Sequence, residues 1–90
     1  MKKKTTKAVI IEWVDSYSEE NTWIPLANIA KPRNLICISI GWIEKETKDN
    51  ITIIPHISDF YAKNNNGCGL GILTIPKVAI VRRVKLKYKL

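Results

Sequence analysis

Hydrophobic and polar positions alternate most regularly at the end of the chain, from residue 80 onward. The even positions carry Ile80, Arg82, Val84, Leu86, Tyr88 and Leu90, and the odd positions carry Val81, Arg83, Lys85, Lys87 and Lys89. Side chains alternate sides along a β-strand, so this pattern predicts a half-buried strand with one apolar face and one cationic face. Arg82 interrupts the apolar face. We expect it to turn toward a pocket or an interface, or to pair with an acid such as Glu12.

Similar patterns predict four further strands upstream. They are Ala8–Val14, Leu35–Glu46, Ile51–Ile57 and Leu70–Ile75. Trp23–Ala30 has room for at most one short helix, with Pro25 suited to a first helical position, and Pro76–Ala79 forms a tight turn before the last strand. Together these elements predict a mainly all-β fold, namely a small antiparallel five-stranded barrel of SH3-like or Sm-like plan. An open β-sheet with one short helix is the alternative.

The faces of the first two strands differ in the size of their side chains. Val9, Ile11 and Trp13 share one face of the first strand. The longest strand has a bulky even face, made of Ile36, Ile38, Ile40 and Trp42, opposite the small residues Cys37, Ser39 and Gly41. A run of small residues often lets another backbone or a ligand come close. We expect Trp13 and Trp42 to lie in the core.

The length of 90 residues predicts one small domain, residues 8–90, after a basic N-terminal tail, residues 1–7. A chain of this size buries only about 65% of its unfolded surface, so self-association would add stability and a homo-oligomer is expected. No apolar run reaches the roughly 18 residues of a membrane span, and the apolar stretch at residues 8–11 is too short for a signal peptide. With two cysteines, which in a reducing compartment are usually free thiols, these features predict a protein of the cytoplasm.

The net charge of +7 is concentrated at the two ends of the chain. Residues 1–7 carry four cations and residues 77–90 carry six, whereas residues 8–76 carry five cations and eight anions. A charge of this kind favours anionic partners such as nucleic acid, nucleotides or acidic protein surfaces. Twelve lysines against three arginines fit the codon bias of an AT-rich genome, so the arginines are the more informative cations.

No constellation in the sequence predicts catalysis, a metal site or a cofactor. His56 has Ser58 and Asp59 close by, but spacing alone does not place a nucleophile within hydrogen-bond reach of a base. Two cysteines and one histidine are too few ligands for zinc. The glycines at positions 67, 69 and 71 precede a strand rather than a helix, so they do not match a phosphate-binding loop.

Aromatic and cationic residues near the loops give the more informative pattern. We expect Trp23 or Tyr17 to stack on a base, and Arg33, Lys77 and Arg82 to meet phosphate. The row of cations on the last strand is an alternative surface for phosphates, although a solvated strand face has the same composition.

Three segments carry a resemblance to known proteins. They are Trp13-Val14-Asp15, Ser39-Ile40-Gly41-Trp42-Ile43 with Ile51-Thr52-Ile53-Ile54-Pro55, and Leu73-Thr74-Ile75-Pro76-Lys77 followed by Ile80. Their order resembles a group of small, largely uncharacterised proteins encoded by phages and prophages of low-GC bacteria. The resemblance covers roughly residues 8 to 86, and it implies a role in the host bacterial cytoplasm. Its motifs are structural, so it implies no catalytic residues.

Small accessory phage proteins commonly counter host defence, some as sponges that sequester a nucleotide immune signal. By that analogy we expect a non-enzymatic binding protein for a small anionic nucleotide, such as a cyclic nucleotide or an ADP-ribose derivative. Two alternatives stay open. One is a small β-barrel that binds RNA or DNA through its basic strand and tail, and the other is a module that blocks a host protein.

Overall fold

The computed structural model describes residues 7–19, 21–61 and 67–87. Within these ranges the chain forms seven strands: β1 (Ala8–Asp15), β2 (Leu35–Glu46), β3 (Asn50–Ile54), β4 (His56–Ser58), β5 (Cys68–Leu70), β6 (Leu73–Pro76) and β7 (Ile80–Leu86). A 3-10 turn at Leu26–Asn28 lies in the segment predicted to hold at most one short helix, and a second, at Lys77–Ala79, lies in the predicted tight turn. The mainly-β prediction is confirmed. No helix in the described ranges is long and apolar enough to cross a membrane. Residues 1–6, which make up most of the basic tail, and residues 88–90, which include Lys89, lie outside the described ranges.

Five of the strands form one antiparallel sheet in the order β6-β3-β2-β1-β7, and β4 pairs with β5 in a separate hairpin. Two predicted strands are each divided in two. Pro55 separates β3 from β4, because proline has no N–H to give to a ladder. Gly71 separates β5 from β6 at a φ of 79°, a conformation that glycine adopts without steric cost.

The sheet is open, and the predicted closed barrel is not confirmed. Its edge strands, β6 and β7, form no ladder with each other within the described residues, although the Lys77–Ala79 turn joins them directly. Four Cα–Cα steps from Pro76 to Ile80 span at most about 15 Å, whereas the edges of a flat five-stranded sheet lie about 19 Å apart. The sheet therefore curls, which gives it a concave and a convex side.

The core lies on the concave side. Its fully or nearly fully buried residues are Val9, Ile11, Ile51, Ile53 and Ile75, and Trp13, Ile43, Leu73 and Ile80 pack against them. Trp13 donates a hydrogen bond from Nε1 to Ser39 Oγ at 3.0 Å, so its polar atom is satisfied at the core edge. The predicted face of Val9, Ile11 and Trp13 is confirmed, but Trp42 is only half-buried and lies outside the core cluster.

A close backbone approach explains the small-residue face of β2. A Cβ on Gly41 would lie 3.0 Å from the carbonyl oxygen of Ile54 and 3.2 Å from Cβ of Ile53. Strand β3, the ladder partner of β2, thus approaches Gly41 at a distance that only glycine permits without a shift. The expectation that small residues on this face admit another backbone is confirmed at Gly41.

An irregularity between β1 and β7 changes the predicted faces of the last strand. Glu12 pairs with Arg82 but Trp13 pairs with Ile80, so Val81 is an extra residue on β7. Ile80 consequently joins the concave side with Trp13, whereas Arg82 and Val84 lie on the convex side. The alternation predicted from residue 80 holds only from Arg82 onward.

Candidate functional site

Tyr17 and Arg33 meet at the two ends of the loop that joins β1 to β2. The Arg33 guanidinium carbon lies 5.3 Å from the centroid of the Tyr17 ring, within the range of a cation–π contact. The backbone N–H of Arg33 also donates to the Tyr17 hydroxyl at 3.1 Å. Two contacts between residues sixteen apart in the chain close the base of the loop and fix the orientation of the pair.

Among the described residues, no carboxylate forms an ion pair with Arg33. Within residues 7–19, 21–61 and 67–87, the ion pairs involve Lys77, Arg82 and Arg83 but not Arg33. The Tyr17 side of the pair is also accessible, since 42% of the residue is exposed. An arginine stacked on an aromatic ring is a surface on which bases and phosphates are commonly bound.

Between these two residues the loop is apolar yet exposed. Trp23 is 99% exposed, Leu26 is 85% exposed and Ile29 is 54% exposed. The 3-10 turn of this loop begins after Pro25. Pro25 has an extended backbone and is the N-cap, so it does not occupy the first helical position expected from the sequence. A fully exposed tryptophan contributes little to the stability of the fold, so its side chain is available to a ligand or a partner.

Arg82 pairs with Glu12, which is one of the outcomes expected from its position. The Arg82 Nε atom lies 3.6 Å from Glu12 Oε2, and 66% of the Arg82 side chain is exposed. The two residues are direct partners in the β1–β7 ladder. The cation on the apolar face is thus neutralised by an anion of the neighbouring strand.

Lys77 and Arg83 converge on Glu46 at the end of β2. Lys77 Nζ lies 2.8 Å from Glu46 Oε2, and Arg83 Nη1 donates to the same oxygen at 3.2 Å. The hydrogen bond from Lys77, followed by that from Arg83, lowers the pKa of Glu46 below its ordinary value. This three-residue cluster holds the last strand and the preceding turn against β2.

The five residues predicted to bind a ligand therefore divide into two groups. The structure brings Tyr17 and Arg33 into contact, with Trp23 in the same loop. Lys77 and Arg82 are ion-paired with different carboxylates on different strands. His56 is exposed on the β4–β5 hairpin, where an open depression of about 680 Å³ is lined by residues of the hairpin and by Trp42.

The convex side of the sheet carries an exposed apolar surface that the sequence reasoning did not identify. We call it the outer face; it consists of Ile10, Glu12 and Val14 of β1, Ile36, Ile38 and Ile40 of β2, and Arg82, Val84 and Leu86 of β7. The ladder pairs these residues in register across three strands. Ile36, Ile38 and Ile40 are 46%, 66% and 57% exposed. The signal in the sequence was that β1 and β2 are apolar on both faces, which a sheet covered on one side does not require.

Comparison with known proteins does not identify a relative. No family model, no curated protein and no solved structure matches this chain.

Proposed function

We propose that this protein is a non-enzymatic binding protein for a small anionic nucleotide, with its site on the β1–β2 loop. The observation that carries the proposal is the Tyr17–Arg33 pair, an accessible ring under an arginine without a carboxylate partner among the described residues. Trp23 supplies a second ring, open on both faces, to stack on a base. Arg33 supplies charge-assisted hydrogen bonds to phosphate.

The proposed site contains three of the five residues expected from sequence, namely Tyr17, Trp23 and Arg33. Lys77 and Arg82 each lie beside a carboxylate, which would repel an incoming phosphate. Within the described residues, Arg33 has no carboxylate at ion-pair distance. We therefore assign the ligand to the loop, and a sponge that sequesters a cyclic nucleotide or an ADP-ribose derivative in the cytoplasm of a bacterial host is the role that fits the resemblance to phage proteins.

The test is ligand-induced thermal stabilisation with cyclic nucleotides, ADP-ribose derivatives and oligonucleotides. A ligand at 100 times its dissociation constant should stabilise the fold by about 2.7 kcal/mol. Arg33→Gln should weaken binding by about tenfold to a hundredfold, because a hydrogen bond to a charged group contributes about 1.5–3 kcal/mol. Lys31→Gln, which removes an exposed cation of the same loop, is the matched control and should change affinity little.

Two results would contradict this function. If no nucleotide raised the melting temperature, nucleotides would be excluded as the ligand. If Arg33→Gln and Lys31→Gln lowered the affinity equally, binding would depend on net charge rather than on a specific site. A steep fall of affinity with salt, together with preference for oligonucleotides, would instead favour nucleic-acid binding.

A second candidate function is that of an interaction module for a host protein. The exposed isoleucines of the outer face favour it, because soluble proteins rarely expose contiguous apolar patches without an interaction. This reading predicts a complex with a protein and no response to nucleotides.

A further inference from the structure

We propose that the outer face is the interface of a two-fold symmetric homodimer. This interface lies on the convex side of the sheet and is independent of the proposed nucleotide site on the β1–β2 loop. Three observations favour a second copy of this chain as the partner: the position of charge within the face, the chemistry of the sheet edges, and the area available.

The charges of the outer face are complementary to themselves. Seven apolar side chains surround one anion, Glu12, and one cation, Arg82, which lie side by side in the ladder. A two-fold axis that passes close to this pair brings the carboxylate of one copy within reach of the guanidinium of the other. Such an isologous contact needs no complementary surface from a different protein. A foreign partner would have to supply both signs of charge at the same spacing.

The alternative modes of self-association through the sheet edges are unfavourable. An antiparallel β7–β7 pairing about a two-fold axis would place Arg83 and Lys85 of one copy opposite Lys85 and Arg83 of the other, and like charges directly opposite destabilise a sheet. The other edge strand, β6, has only four residues and ends in Pro76, which cannot donate to a ladder. Face-to-face packing avoids both obstacles.

The area of the outer face is close to what a reversible dimer needs. Three strands with about six residues each present a rectangle of about 20 by 14 Å, or roughly 450 Å² of accessible surface once side-chain relief is included. Two copies would bury roughly 900 Å², near the lower limit of about 1,000 Å² for a specific interface.

The dimer is tested by measuring mass in solution across a range of concentrations. We expect a dimer of twice the 10.3 kDa chain that dissociates on dilution. Ile38→Lys places a charge at the centre of the interface and should raise the dissociation constant at least about a hundredfold. Val78→Lys, at a 98% exposed position in the Lys77–Ala79 turn, is the matched control and should leave it unchanged.

Charge reversal provides a second, independent variant pair. Glu12→Arg places like charges at the centre of the contact and should dissociate the dimer, whereas Glu12→Arg combined with Arg82→Glu should restore it. Circular dichroism of each variant checks that the fold is retained, and the double variant keeps the inference testable if Glu12→Arg does not fold.

Two results would overturn the inference. A wild-type protein that is monomeric at every concentration would leave the face to a foreign partner. A dimer that survives Ile38→Lys would place the contact on another surface. Neither result bears on nucleotide binding by the loop, which the thermal shift measures separately.

Discussion

Arg33 and Arg82 are both exposed, but their surroundings give them different chemical roles. Arg33 lies over an aromatic ring and has no carboxylate among its described contacts. Arg82 lies 3.6 Å from the carboxylate of Glu12, so its charge is largely compensated. An arginine that is stacked but unpaired can meet an incoming phosphate without first breaking an ion pair. The contact with Glu12 also explains why a cation is tolerated among isoleucines and valines.

Glu46 gives a prediction for the dependence of stability on pH. Hydrogen bonds from Lys77 and Arg83 lower its pKa in the folded state below the ordinary value of 4.5. Because the pKa is lower in the folded state, charged Glu46 stabilises the fold at every pH above the ordinary pKa. This stabilisation is lost as the pH falls through the lowered pKa of the folded state. Glu46→Gln should therefore destabilise the protein by about 1 kcal/mol at neutral pH, given two partly exposed ion pairs.

The difference between wild type and variant should shrink as pH falls below 4.5. Urea unfolding at a series of pH values measures it. Glu44→Gln makes the same charge change at an exposed position of the same strand without an ion pair in the described part of the chain, and it should change stability little. Equal effects of the two substitutions would show that the cluster contributes no more than net charge.

At the scale of the element, the close approach of β3 to the backbone of β2 depends on one glycine. A side chain at Gly41 would contact the backbone of Ile54 at 3.0 Å, and the backbone of a paired strand shifts less readily than a side chain does. A Cβ at Gly69 would also lie 3.0 Å from its nearest neighbour, but that neighbour is a methyl group of the Ile54 side chain. An added Cβ would be equally close to its nearest neighbour at both glycines, but the neighbour of Gly69 can move more easily than the neighbour of Gly41.

Gly41→Ala should destabilise the fold by about 1–3 kcal/mol, as overpacking commonly does. Gly69→Ala should cost less than half as much, because a side-chain methyl group can shift by a few tenths of an ångström more readily than the backbone of a paired strand can. Thermal or urea unfolding of both variants gives the comparison. Equal losses would mean that the strands shift to admit a methyl group and that the close approach is not a fixed feature of the fold.

The same elements show how far the sequence predicts this fold. The strands β1 and β2 and the turn before β7 follow from alternation and from proline, which are local signals. The extra residue Val81 and the break at Gly71 depend on pairing with other strands, which a single strand pattern does not encode. For the candidate site, Tyr17, Trp23 and Arg33 were predicted from sequence. The contact between Tyr17 and Arg33 was not predicted, because it forms only when the fold brings the two ends of the loop together.

At the scale of the whole molecule, the main buried cluster of this 90-residue chain lies on one side of a curled sheet, and part of the other side is apolar and exposed. All five residues of the buried cluster lie on the concave side, whereas Ile36, Ile38 and Ile40 remain exposed on the convex side. A small domain gains stability when such a face is covered, since it buries only about 65% of its unfolded surface by itself. Dimerisation through the outer face would supply that cover.

Stability should consequently depend on protein concentration. When folded dimers unfold to separate chains, each tenfold rise in concentration stabilises the dimer by about 1.4 kcal/mol. Shared between two chains of this size, that corresponds to a rise in Tm of about 3–5 °C. Scanning calorimetry of wild type at several concentrations measures the slope. The Val78→Lys control should keep the slope and Ile38→Lys should abolish it, whereas a wild-type Tm independent of concentration would contradict coupling between folding and association.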